Sequence, residues 1–130
     1  MIEGSCHCGA VRWRYEGALD GATACNCTVC RRYGALWAYG HDGEDVHVTG
    51  PTSAYVWNRR SLGFHFCPAC ACVVAWRAAE ADGEGRRRSA VNLRLAEPAD
   101  VAHIPLDHFD GLGGARDLPR DGKTVGDVWF

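Results

Sequence analysis

The sequence predicts a mainly β fold, a single domain of antiparallel strands with short helical turns, and three observations carry that prediction. Alternation of period two runs through most of the chain; glycine, aspartate and proline punctuate it at short intervals; and eight cysteines fall into three tight clusters. The clearest strand is Val11, Trp13 and Tyr15 alternating with Arg12, Arg14 and Glu16, one face buried and one wet. Further strands are expected at Leu36 to Tyr39, Asp45 to Val48, Ala54 to Trp57, Leu62 to Phe66, Val73 to Arg77 and Ala90 to Leu95. Helix is expected only in short pieces. One follows Cys27 from Thr28 to Tyr33, and one lies near Glu97-Pro98-Ala99-Asp100, where proline suits a first turn.

Composition narrows the function classes. With 47% apolar residues and no Gly/Ser/Pro-rich divider, residues 1–130 are expected to form one domain with its own core. A net charge of -2 gives no electrostatic footprint for nucleic acid or anionic lipid, and charged residues interrupt every apolar stretch short of membrane-spanning length. Arg86-Arg87-Arg88 follows a polar stretch and reads as a solvated loop end. Met1 to Ser5 lack the basic start and apolar run of a signal peptide, so a reducing, cytoplasmic location is expected. Oligomeric state is not legible.

The cysteine spacing points to metal. Cys6-His7-Cys8, Cys25-x-Cys27-x-x-Cys30 and Cys67-x-x-Cys70-x-Cys72 place sulfurs one or two residues apart, a spacing that suits a shared ion and rarely suits a disulfide. An even count in a short chain would also fit a disulfide scaffold, which is the competing reading. In extended chain Cys6 and Cys8 would offer both sulfurs to one side, and the Cys67-Pro68-Ala69-Cys70 turn after the strand Leu62 to Phe66 supplies two more. Together they make a closed, structural four-thiolate zinc site. Its binding free energy, of order 10 kcal/mol or more, exceeds the stability margin of a small domain. Cys25, Cys27 and Cys30 have no second pair, so a zinc held there keeps one position open, the arrangement of a catalytic site, and a soft thiol is the natural fourth ligand.

These residues resemble a known family. Cys6-His7-Cys8-Gly9-Ala10-Val11-Arg12, Cys25-x-Cys27-x-x-Cys30-Arg31 and Phe66-Cys67-Pro68-x-Cys70, with the C-terminal segments Pro105 to Gly111, Asp117 to Gly122 and Val128-Trp129-Phe130, are similar to the glutathione-dependent formaldehyde-activating enzymes, which include the centromere protein V domain. The resemblance implies a β-tent fold, two zinc ions per chain at the ligand sets just named, and reversible condensation of glutathione with formaldehyde to S-hydroxymethylglutathione, a carbon-sulfur lyase reaction in reverse. Small thiol and aldehyde substrates are the implied partners.

Two departures from the family pattern bear on the site. Ala71-Cys72 stands where glycine and a small hydroxyl residue are usual, so Cys72 is either a small buried hydrophobe opening the strand Cys72 to Trp76 or a fourth ligand closing the second site. Asn26 replaces a common histidine and costs no zinc ligand. His7, on the opposite strand face from its cysteine neighbours, reads as a surface residue or a hydrogen-bond partner to a ligand and not as a ligand itself; His65 reads as a strand residue; and His108 reads as a satisfied loop histidine, the alternative being that it reaches a substrate. Arg31, Arg32 and Arg59 are available for substrate carboxylates, and Trp37, Tyr39, Trp57 and Trp76 either wall a pocket or fill the core. Two functions follow: an enzyme joining thiol to aldehyde, or a non-enzymatic zinc module, both zincs structural, that binds a partner.

Overall fold

A computed structural model describes residues 1–57 and 59–129. Eleven strands are seen among them: β1 (Ile2–Ser5), β2 (Arg12–Tyr15), β3 (Ala22–Cys25), β4 (Leu36–His41), β5 (Val46–Thr49), β6 (Ser53–Trp57), β7 (Leu62–Phe66), β8 (Val73–Ala78), β9 (Arg88–Asn92), β10 (Leu106–Asp110) and β11 (Arg116–Leu118). The helices α1 (Cys30–Tyr33) and α2 (Pro98–Val101) are single turns. Strands β1, β2 and β5 form a three-stranded sheet, and the other eight form a sheet ordered β11-β10-β3-β4-β9-β8-β7-β6.

The small sheet covers one face of the large one. Trp13, Tyr15 and Val46 from the small sheet share a core with Leu36, Ala38, Val74, Ala75, Val91 and Leu93 from the large sheet and the turn after β9. The alternation of β2 therefore does what its pattern predicts, with Trp13 and Tyr15 buried and Arg12 and Arg14 outside. The large sheet is different because its centre is buried on both faces. Trp37, Phe64, Trp76 and Ala90 form a second apolar cluster on its far side, together with Cys30 and Ala35. This is why Leu36-Trp37-Ala38 reads as an unbroken apolar run and not as an alternation.

Strands β4 to β9 fall close to where the sequence places them, and four differences have physical causes. The strand expected to run through Ala90 to Leu95 ends at Asn92, whose side chain accepts from the Arg94 amide and caps a 3-10 turn over Leu93–Leu95. The helix expected from Thr28 begins only at Cys30, because Thr28 and Val29 lie in the turn that carries Cys27. Cys6 to Cys8 is not extended. It is a turn closed by Gly9 N–H donating to Cys6 O at 3.0 Å. Finally, β1, β3, β10 and β11 lie in segments too short or too polar to announce themselves, and β10 pairs with β3 in parallel, placing Phe109 beside Cys25. Every other strand pair is antiparallel among the described residues.

Gly4 lies opposite Trp13 in the β1–β2 ladder, and a Cβ there would overlap the Trp13 indole, which is only 2% exposed. Gly4→Ala is expected to destabilise the fold by about 1–3 kcal/mol, the usual cost of overpacking. Chemical denaturation of both proteins checks this.

Candidate metal centres

Two chain turns of similar design build the first cluster. In each, the first cysteine amide reaches five residues ahead: Cys6 N–H donates to Val11 O at 2.9 Å and Cys67 N–H to Cys72 O at 3.0 Å. Each also needs one residue in the left-handed region, Gly9 at φ 80° and Ala71 at φ 66°. The turns bring the sulfurs of Cys6, Cys8, Cys67 and Cys70 within 4.8 Å of one another, with Cys6–Cys8 at 3.7 Å and Cys8–Cys67 at 3.6 Å. Tetrahedral zinc with Zn–S bonds of about 2.3 Å requires sulfurs about 3.8 Å apart, whereas a disulfide requires about 2.05 Å. The set fits a metal ion, and all eight cysteines are free thiols.

Electrostatics reach the same point by another route. The amides of Cys72 and Cys8 point at the Cys70 sulfur and bring its pKa down to about 5. At Cys8 the Ala10 amide favours the thiolate, but the adjoining sulfurs of Cys67 and Cys6 outweigh it and push the thiol up to about 11. Crowded sulfurs cannot all ionise unless a cation joins them. Cys6 and Cys67 are buried, and Val11 N–H donates to Cys6 Sγ at 3.3 Å.

The second cluster sits where β3 ends. Cys25 is the last residue of that strand, Cys27 lies in the following turn and Cys30 opens α1, and their sulfurs also lie within 4.8 Å of one another. Cys30 N–H donates to Cys27 Sγ at 3.3 Å, and the buried Trp37 Nε1–H donates to Cys30 Sγ at 3.4 Å. Burial pushes the Cys25 and Cys30 thiols up. It acts on Cys27 in the same direction, but the Cys30 amide and the neighbouring sulfurs outweigh it, so that thiol falls below its ordinary value. Cys72 is not part of this set. Burial pushes its thiol up and the His7 amide pulls it down, which places it beside the first cluster, one residue ahead of β8.

The two clusters differ in what surrounds them. Cys25, Cys27 and Cys30 line a cavity of about 590 Å³ whose walls are Trp37, Tyr39, Trp57, Leu62, Phe64 and Trp76 and whose other side is Phe109, Gly111, Leu112 and Ala115. The β10–β11 loop is tied across it by one residue. Asn26 Nδ2 donates to Asp110 Oδ1 at 2.9 Å, and Asn26 Oδ1 accepts from Leu112 N–H at 3.0 Å. Gly111 then comes so close that a Cβ would stand 2.8 Å from Cys27 Cβ and 3.1 Å from Cys25 Sγ. In sequence Asn26 reads only as a replacement that costs no zinc ligand, and Phe109 and Gly111 carry no site signal of their own. The Asp110-Gly111 pair closes a β-rich segment, but nothing local ties it to residue 26.

Of the aromatic candidates, Trp37 and Trp76 are wall and core at once, while Tyr39 and Trp57 line the cavity from exposed positions. The polar ones are elsewhere. His65 Nδ1 lies 2.9 Å from Thr52 Oγ1, and burial lowers its pKa. His7 is exposed in the first turn. His108 is in β10, its buried Nε2 being 3.2 Å from Asp121 Oδ2 but outside hydrogen-bonding geometry. Arg31 and His108 border a smaller hollow of about 190 Å³ behind Cys25 and Cys30, Arg32 donates to Thr28 O at 2.7 Å, and Arg59 is in the β6–β7 turn. Arg88, read as loop, opens β9 and stacks 5.7 Å from the Trp76 ring and 6.0 Å from Tyr39.

Two substitutions test this geometry. Ala71→Gly relieves a left-handed alanine, which costs about 1–2 kcal/mol, against an added unfolded-state entropy of about 0.5–1 kcal/mol, so a net gain of about 0.5–1 kcal/mol is expected in denaturant titration. Trp37→Phe removes the donor to Cys30 and is expected to weaken metal at the second cluster by roughly tenfold while sparing the first, as chelator competition would reveal.

The comparisons agree with this layout. The family model described as "Glutathione-dependent formaldehyde-activating enzyme" matches residues 1–98, which include all eight cysteines. A Halomonas elongata protein named "Putative glutathione-dependent formaldehyde-activating enzyme" is 26% identical over 120 residues, covering 83% of this chain and 76% of its own length. A crystal structure of a Rhodobacter sphaeroides protein superposes with a TM-score of 0.62 at 26% identity, over 81% of this chain and 99% of the other. The chain belongs to the glutathione-dependent formaldehyde-activating enzyme family.

Proposed function

We propose that residues 1–130 act as one two-zinc unit that joins a small thiol, glutathione or a relative of it, to formaldehyde or a related aldehyde, giving an S-hydroxymethyl adduct. Cys6, Cys8, Cys67 and Cys70 would hold a structural zinc, and Cys25, Cys27 and Cys30 a catalytic one. The observation that carries this reading is that three sulfurs, and not four, converge on the wall of a cavity large enough for a substrate. Cys72, the candidate for closing the second set, instead keeps company with Cys70 and His7. That favours the enzyme over a module with two structural zincs.

Zinc at the second set would supply a Lewis acid and lower the pKa of a bound thiol. The chain supplies the rest. Trp37 and the Cys30 amide spread charge away from the sulfurs they donate to, and the aromatic walls exclude water from the reacting groups. Burial pushes the Tyr39 phenol up to about 12, so its hydroxyl stays protonated and can donate to an oxygen in the cavity. The thiol sulfur bonds to the carbonyl carbon, the C=O π pair moves to oxygen, and the thiol proton ends there. No oxidant or reductant is consumed. The name of the family and of the Halomonas relative supports glutathione and formaldehyde as the first substrates to try. A reducing, cytoplasmic setting suits eight free thiols.

The zinc-loaded protein is expected to contain two zinc ions per chain and to consume formaldehyde only when a thiol is present, faster than the buffer blank. Cys30→Ser should lose one zinc and fall to the blank rate, while Cys72→Ser should keep both zincs and the activity. A blank-level rate across several thiols with two zincs bound would overturn the reading in favour of the binding module.

A further inference from the structure

Among the described residues that line the main cavity there is no acidic, basic or histidine side chain. The walls are the rings of Trp37, Tyr39, Trp57, Phe64 and Trp76, and the polar contributions come from the three thiols, Thr28 and the Tyr39 hydroxyl. Glutathione brings two carboxylates and an ammonium, and burying any of these without a partner is costly. No arginine lines this cavity itself, and Arg31 and Arg94 border the separate, smaller hollow behind Cys25 and Cys30. Arg32 lines an adjoining groove that shares Thr28, Val29 and Trp57 with the cavity, and its guanidinium donates to Thr28 O; Arg88 packs on the Trp76 and Tyr39 rings without lining the cavity; Arg94 donates to the carbonyls of Gly34, Val128 and Trp129. Phe109, Gly111, Leu112 and Ala115, which complete the enclosure, lie beyond residue 98, outside the part of the chain the family model matches.

We propose that this cavity selects an uncharged thiol bearing an aromatic or branched apolar group, and that such a thiol, not glutathione, is the preferred partner of the second cluster. The inference deepens the proposed function and rests on it, since the sulfur must reach the Cys25, Cys27 and Cys30 set. The volume of about 590 Å³ accepts a benzyl-sized group with its sulfur at the cluster and leaves room for a small aldehyde. Ring stacking against Trp57 and Trp76 replaces the ion pairs that a tripeptide would need.

The test is equilibrium binding to the zinc-loaded protein, read by quenching of tryptophan fluorescence and by calorimetry, with benzyl mercaptan and glutathione as probes. Benzyl mercaptan is expected to bind at least about tenfold more tightly, as burial of one ring in an apolar pocket implies. Trp57 is 40% exposed, so Trp57→Ala should stay folded, and it is expected to lower the benzyl mercaptan to glutathione affinity ratio by most of its value. Glutathione binding as tightly as benzyl mercaptan, or an unchanged ratio in Trp57→Ala, would overturn the selectivity and leave the thiol site standing. If neither thiol bound, the thiol site itself would fall, and the selectivity with it.

Discussion

The convergence of four sulfurs from two distant turns is the constraint on which the rest of the molecule depends. One turn connects β1 to β2 of the small sheet and the other connects β7 to β8 of the large sheet, and Cys8 and Cys67 bring them to a sulfur separation of 3.6 Å. Apolar burial alone sets the two sheets face to face; the sulfurs fix where one lies on the other. Since thiolates repel, that register is stable only when a cation, or retained protons, neutralise the group. A cation bound at this point would therefore stabilise the sheet packing by its own binding free energy.

From that anchor the large sheet gains two different faces. The face toward the small sheet is sealed by Val74, Val91, Leu93 and the Trp13 indole, all nearly or fully buried. The far face carries Trp37, Phe64 and Trp76, and the small sheet does not reach it. Large rings at neighbouring ladder positions, such as Phe64 opposite Trp76, cannot close a surface as aliphatic side chains do. A cavity results, and the end of β3 delivers three thiols to its edge.

Parallel pairing of β10 with β3 then makes the cavity a site. It sets Phe109 next to Cys25 and swings the following loop back over Cys27, where only glycine fits at position 111. Asn26 fastens that loop through both ends of its amide. A residue between two clustered cysteines in sequence therefore shapes the enclosure, and the polar capacity of the lining ends up in the sulfurs, Thr28 and one phenol.

Much was legible beforehand, for reasons that can be named. Cysteines one or two residues apart are a local pattern, so the partition into a four-sulfur and a three-sulfur set could be read without coordinates, as could the alternation of β2 and the turns around Pro68 and Pro98. Cys72 was ambiguous because a sulfur two residues beyond Cys70 can serve either set until the turn geometry is known. Invisible too were the parallel β3–β10 pair, the role of Asn26 and the lack of acidic and basic side chains around the cavity, since each joins residues more than eighty positions apart or depends on which face of a doubly buried strand looks outward. Sequence by itself determined the grouping of the thiols and the mainly β fold, because both follow from spacing over a few residues. Tertiary structure decided which sulfurs meet an open space and what that space admits, because long-range strand pairing is set by the packing of the whole chain.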